Sequence, residues 1–255
     1  MDEILAKYLD SSPQLTADEL LKSKADAYNS LPGSLKVINC TICNNKGMIA
    51  VVDNGEIVVK PCSCCVKRSV MRKMAKSGLS DVISRYRFDT FTDTEGWQKS
   101  IKTAAQRYAN EKSGWFTISG CPGSGKTHIC TAICGAMLKN DMDVRYFLWR
   151  TEAPALKSWA NKPEYGDKVE PYKTVPVLYI DDFWKGKVTD ADINLAFDIL
   201  NARYNNTQLQ TIISSELTIE QITEIDEAIG SRIYERSKGN YVRVSGDGKN
   251  YRLRP

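Results

Sequence analysis

Gly120 to Thr127 reads Gly-Cys-Pro-Gly-Ser-Gly-Lys-Thr and fills every fixed position of GxxxxGK(S/T), a pattern that commits the surrounding chain to a strand, a tight loop and a helix in that order. Gly120, Gly123 and Gly125 permit a turn tight enough to aim successive amide N–H groups at a phosphate chain, where a Cβ would stand in the way. Cys121, Pro122 and Ser124 complete the loop. Lys126 has the length to reach β and γ phosphates as a compact charge, and the Thr127 hydroxyl suits the Mg2+ ion that bridges them. Residues 115–119 (WFTIS) have the composition of a buried strand, and residues 128–139 carry Ile129, Ala132, Ile133, Ala136 and Met137 at helical spacing. The helix start adds partial positive charge to the anion site, and His128 reads as a packing residue there rather than as a base. A nucleoside triphosphate such as ATP is the implied ligand.

A triphosphate site also needs an acid for the metal. Residues 177–182 (VLYIDD) offer four apolar residues that suit a strand buried on both faces, with two carboxylates emerging at its C-terminal end. Asp181 is assigned to the metal and its coordinated water, Asp182 to the attacking water. The stretch lies roughly 50 residues after the loop, with a strand-like VRYFLW between them.

The remaining segments read as an open parallel α/β unit. Residues 143–149 and 209–215 are strand candidates, and residues 190–205 carry Ile193, Leu195, Ala196, Ile199 and Leu200 at helical spacing. Residues 218–229 read as a short helix opened by Thr218 with Gln221 three residues on. Residues 241–245 and 250–254 are expected to pair as terminal strands across Gly246-Asp247-Gly248. Residues 1–38 read as a separate module of two polar helices divided near Ser11-Ser12-Pro13.

At 255 residues, with 42% hydrophobic and 26% charged content, the chain suits one α/β core and a small appendage. No apolar run nears the roughly 20 residues that cross a bilayer, and the first ten residues (MDEILAKYLD) lack a signal-peptide core. A cytoplasmic protein with no membrane partner is expected. The net charge of +4 is unevenly spread: residues 60–87 hold eight Lys or Arg against Asp81 alone, and residues 231–255 hold seven against Glu235 and Asp247. Such basic segments suit nucleic acid.

Eight cysteines fall into two groups. Cys121, Cys130 and Cys134 lie in or just after the loop, where small buried thiols pack well. Cys40, Cys43, Cys62, Cys64 and Cys65 flank an expected hairpin over residues 48–60, whose Asn54-Gly55 turn supplies positive φ angles. Cys40 and Cys43 form a CxxC knuckle. Its return half is Cys62 with either Cys64 or Cys65, ribbon geometry slightly favouring Cys65. A reducing compartment argues against disulfides, and since His128 is the only histidine, a Zn2+ site here would be all thiolate and structural.

GCPGSGKTH, LYIDDFWKGKVTDADINLAFDILNARY, TIISSE and IGSRIYERSKG, in that order, resemble the AAA+ replicative helicase loaders of the DnaC and DnaI type, with the IstB transposition ATPases close behind. The resemblance covers roughly residues 85–255. It implies an AAA+ ATPase domain there, a zinc ribbon with a basic linker helix over residues 39–84, and an N-terminal module over residues 1–38 that grips a hexameric replicative helicase. Loaders of this type carry CxxC followed by CxC, which leans toward Cys64 as the fourth zinc ligand. They form homo-oligomers that hold single-stranded DNA, with an arginine from the next subunit completing each ATP site. Arg232 and Arg236, four residues apart on one helix face, are the candidates, and family position favours Arg236. Family position also assigns a sensing role to Ser215, in a run that lacks the usual Asn.

Single-stranded DNA contact calls for cations and stacking aromatics. Trp184, Lys185 and Lys187, and Trp149, Arg150, Lys157 and Trp159, fit that description. Three readings follow: a helicase loader; a transposition ATPase that binds DNA and recruits a transposase; and a small-molecule kinase, weakened by the lack of an obvious substrate lid.

Overall fold

The computed structural model describes residues 15–36 and 38–253, and the chain divides into two compact units between Ser69 and Val70. The first of the two helices expected in residues 1–38 lies outside the described residues.

In the first unit, helix α1 (Ala17–Ser30) is opened by a capping box in which Thr16 and Glu19 satisfy each other's backbone N–H groups. The Asn29 amide brackets the backbone of Ala50, accepting from its N–H at 2.8 Å and donating to its carbonyl at 2.9 Å. Ala50 belongs to β1 (Met48–Asp53), which pairs antiparallel with β2 (Glu56–Pro61) from Met48 opposite Pro61 to Asp53 opposite Glu56. Asn54 and Gly55 have φ of 48° and 77°, the left-handed pair that a two-residue hairpin turn requires. Helix α2 (Cys64–Ser77) begins in this unit and ends in the second.

The second unit continues with α3 (Ser80–Ile83), α4 (Gly96–Tyr108), β3 (Trp115–Gly120), α5 (Lys126–Lys139), β4 (Val144–Leu148), α6 (Trp149–Lys157), α7 (Tyr165–Thr174) and β5 (Val177–Asp181). It then runs through α8 (Asp190–Asn205), β6 (Gln210–Ser215), α9 (Ile219–Ile225), α10 (Glu227–Arg236) and β7 (Tyr241–Val244). The five strands β3 to β7 form one parallel sheet in the order β4-β5-β6-β3-β7. Alternate residues enter opposite cores: Phe116, Ile118, Val177, Tyr179 and Ile212 lie in one, Trp115, Leu178, Ile180 and Ile213 in the other. Helices cover both faces, which is why the central strands read as continuous apolar runs. This is the α/β core, with a parallel sheet flanked by helices, that the sequence implies.

Two expectations are corrected. Residues 241–245 and 250–254 do not pair: β7 instead joins β3 in parallel, from Thr117 opposite Tyr241 to Gly120 opposite Val244. Gly246 and Gly248, at φ of 100° and 73°, turn the chain away, and Tyr251–Leu253 form a single 3-10 turn. The helix expected over residues 218–229 is two helices, because Asp226 adopts an extended φ of −151° and its carboxylate accepts from the Ile229 N–H at 2.8 Å to start α10.

Candidate functional site

The phosphate loop joins β3 to α5. Gly120 has φ of 111°, and a Cβ there would stand 2.0 Å from the Val244 carbonyl oxygen, which itself accepts from the Cys121 N–H at 3.0 Å. Gly123 is constrained from the other side, since a Cβ would meet the Asn250 side chain at 1.9 Å. Tyr251 donates its N–H to the Gly123 carbonyl at 3.0 Å. The Lys126 ammonium is buried and donates to the carbonyls of Gly120 and Cys121, both at 2.8 Å. Burial lowers its pKa, against the opposing charges of Glu216 and Asp182.

Parallel pairing places β6 between the loop strand and the acidic strand, so that Ser214 lies beside Asp181. Thr127 Oγ1 donates to Asp181 Oδ1 at 3.2 Å, the Ser214 hydroxyl donates to the same oxygen, and Tyr146 donates its phenol to Oδ2 at 2.9 Å. Asp181 is 3% exposed, which a carboxylate tolerates because donors surround it. Hard oxygen donors on Thr127 and Asp181, adjacent to the loop, fit a magnesium ion. Asp182 is less buried, has a left-handed φ of 53°, and directs its N–H to both Asp181 Oδ1 and Ser214 Oγ at 3.1 Å. Lys185 pairs with Glu216 at 2.8 Å and with Asp182 at 3.4 Å.

Ser215, assigned the sensing role from family position, faces the other way. Its hydroxyl donates to the Phe183 carbonyl at 2.8 Å and accepts from the Leu217 N–H at 3.1 Å. Successive strand residues point to opposite faces, and the one beside the acid is Ser214.

The phosphate loop opens onto a cleft of about 260 Å³ lined by loop residues 123–128 together with Asp182, Lys185 and Glu216. Tyr86, Phe91, Thr92, Trp97, Gln98, Tyr251 and Arg252 complete the wall. Sequence reasoning missed these, along with Ser214 and Tyr146. Aromatics just before α4 and in its first turn were the available signal for Phe91 and Trp97. His128 stacks on Tyr86 at 4.9 Å, meets Phe91 edge-on at 5.2 Å, and places Nε2 2.9 Å from the Arg87 carbonyl. Burial lowers its pKa, in keeping with a neutral packing ring.

Arg232 and Arg236 lie on α10 and do not line this cleft. Arg232 sits over the rings of Phe197 and Tyr204 at 5.2 and 5.3 Å, and Arg236 over Trp115 at 5.9 Å. The DNA candidates divide. Trp184 and Trp149 are 1% and 5% exposed, which corrects their reading as stacking platforms. The left-handed turn through Asp182 and Trp184 folds the Phe183 and Trp184 rings together at 4.6 Å, with Trp149 edge-on to Phe183 at 5.0 Å. Lys157 is paired with Asp192 at 2.6 Å and Lys185 with two carboxylates, whereas Arg150 and Lys187 are exposed. Trp159 is half-buried, with the ammonium groups of Lys162 and Lys168 at 4.3 and 5.2 Å from its ring centre.

In the first unit, the thiol sulfurs of Cys40, Cys43, Cys62 and Cys64 all lie within 4.8 Å of one another and are buried. Cys40 and Cys62 are 3.8 Å apart, Cys43 and Cys64 3.5 Å. A tetrahedron with metal–sulfur bonds of about 2.3 Å has sulfur edges of about 3.8 Å, so the cluster is compatible with a zinc site. Cys65, about 100° further round the helix, donates to the Gly47 carbonyl at 3.0 Å instead. Arg68 clamps the knuckle, donating to the carbonyls of Lys36 and Ile38 and, at 3.0 Å, to Asn45 Oδ1. Asn45 Oδ1 also accepts from the Cys40 N–H at 2.8 Å.

The core shares its fold with the DnaC helicase loader, with a TM-score of 0.58 at 21% identity over 64% of this chain and 98% of that one. Two proteins of Bacillus subtilis (strain 168) are similar in sequence. The uncharacterized protein YqaM is 34% identical over 204 residues, covering 74% of this chain and 64% of YqaM. The phage-like element PBSX protein XkdC is 31% identical over 262 residues, covering 96% of this chain and 93% of XkdC. The sequence profile described as IstB-like ATP binding protein matches residues 57–255. That match takes in the phosphate loop, the acidic strand and the arginine helix together, and this chain belongs to the IstB-like ATP-binding protein family.

Proposed function

We propose that the protein is an oligomeric AAA+ ATPase that binds a replicative DNA helicase and loads it onto single-stranded DNA. The observation that carries this reading is the joining of the phosphate loop to Asp181 through Thr127, in a core that shares its fold with a helicase loader and follows a four-cysteine ribbon. Thr127 and Asp181 would hold Mg2+, which supplies charge neutralisation along the phosphate chain when bound. Lys126 and the loop amides grip the phosphates, and Asp182 orients the attacking water. Cys40, Cys43, Cys62 and Cys64 would hold a structural Zn2+. Arg236, which lies outside its own cleft, would serve the nucleotide of a neighbouring subunit, with Arg232 as its alternative.

The test is capture of the host's replicative helicase by the full chain, together with ATP turnover that rises with protein concentration and with added single-stranded DNA. Failure to capture the helicase, in the presence of ATP and DNA, would sink the loader reading. The family match itself favours a second reading, a transposition ATPase that coats DNA and recruits a transposase. Capture of a transposase in place of the helicase would select it.

A further inference from the structure

Tyr146 stands on β4, one strand beyond the acidic strand, at the edge of the sheet. In the parallel register it is opposite Tyr179, and Leu148 is opposite Asp181, so Tyr146 reaches two residues along the neighbouring strand to meet the carboxylate. Its ring lies 5.2 Å from that of Tyr179, and its hydroxyl donates to Asp181 Oδ2 at 2.9 Å. The other oxygen, Oδ1, receives the hydroxyls of Thr127 and Ser214 and the Asp182 N–H. Three of these four donors come from the loop helix, the neighbouring strand β6 and the residue after the acid. Tyr146 alone of the four acts on Oδ2, and it comes from the opposite side of β5.

A carboxylate turns readily about its Cβ–Cγ bond unless both oxygens are held. Donors on Oδ1 alone leave that rotation open, and Thr127 must share its hydroxyl oxygen with a metal. We infer that Tyr146 is a positioning residue that fixes the Asp181 carboxylate for the metal of the nucleotide site. The inference rests on the ATP reading and adds a residue that the loop pattern does not contain. Outer partners of metal ligands commonly govern metal affinity by about 10- to 100-fold.

The test is Tyr146→Phe in the full chain, which retains the ring packing on Tyr179. Binding of a fluorescent ATP analogue is titrated with Mg2+, and again in excess chelator. The midpoint for Mg2+ should rise about 10-fold while affinity in chelator stays unchanged. Tyr108→Phe, which removes a buried phenol that donates to the Gly114 carbonyl at 3.0 Å, should leave the midpoint in place and controls for loss of a buried hydroxyl. An unchanged midpoint in Tyr146→Phe, or an equal shift in Tyr108→Phe, overturns the inference. A wild-type chain that binds the analogue neither with nor without Mg2+ overturns the ATP reading, whereas one that binds it with no dependence on Mg2+ overturns this inference alone.

Discussion

Thr127 and Asp181, 54 residues apart in the chain, meet at 3.2 Å between Oγ1 and Oδ1, so the phosphate loop and the acidic strand form one site. Lys126 and Asp181 therefore have separable tasks. Lys126→Ala removes charge-assisted contacts worth about 1.5–3 kcal/mol each and should weaken ATP binding by about 10- to 100-fold. Asp181→Asn should retain ATP binding and lose turnover by about 100-fold. Calorimetry with ATP and steady-state phosphate release check the two. Full turnover in either variant would contradict the assignment.

Ser214 and Ser215 are adjacent and both buried, yet they face opposite sides of β6. Ser214→Ala removes a donor from Asp181 and should reduce turnover by about 10-fold. Ser215→Ala leaves the Phe183 carbonyl and the Leu217 N–H each short of a partner, costing about 1–2 kcal/mol of stability with turnover preserved. Denaturant unfolding beside phosphate release separates them; the reverse pattern would restore Ser215 to the site.

Much of this site is written locally. The loop glycines and the VLYIDD strand obey rules of spacing and two-faced burial that act within a few residues, and the sequence discloses them. Ser214, Tyr146 and Arg252 enter through strand order and chain reversal, which no local pattern encodes. Trp184 shows the same limit from the other side: a tryptophan followed by Lys185 and Lys187 reads as a surface platform. Left-handed φ angles at Asp182 and Trp184 turn it into the core. Arg236 was legible as an arginine on a helix, but its place over the Trp115 ring and outside the cleft is set by tertiary packing.

The cysteine cluster discriminates between neighbours. Cys64→Ser should release about one zinc per chain and unfold the ribbon, whereas Cys65→Ser should keep the metal, since its thiol bonds to Gly47. Metal analysis of the purified variants decides. Zinc-free wild-type protein, or loss only in Cys65→Ser, would refute the ligand set.

Arg236 lies over Trp115 and outside the cleft. Arg236→Ala should leave ATP affinity unchanged and lower turnover by about 1000-fold if it acts between subunits as an arginine finger. Mixing it with Lys126→Ala should restore part of the activity, because intact loops then meet intact arginines. No recovery on mixing would exclude action between subunits.

Two tryptophans carry opposite expectations. Trp184 is fully enclosed and packed face to face with Phe183, so Trp184→Ala leaves a cavity and should destabilise the fold by about 3–5 kcal/mol. Trp159 is half-exposed beside Lys162 and Lys168, an aromatic face with cations at its rim. A stacked base is worth about 1–3 kcal/mol, so Trp159→Ala should weaken single-stranded DNA binding by about 5- to 100-fold. Stability should be unaffected, since the ring closes no core. DNA titration by fluorescence anisotropy at fixed salt, beside thermal unfolding, checks both. Should Trp159→Ala bind DNA as wild type does, the exposed cations Arg150 and Lys187 would have to carry the contact through phosphates alone, and binding would then fall more steeply with salt than stacking allows.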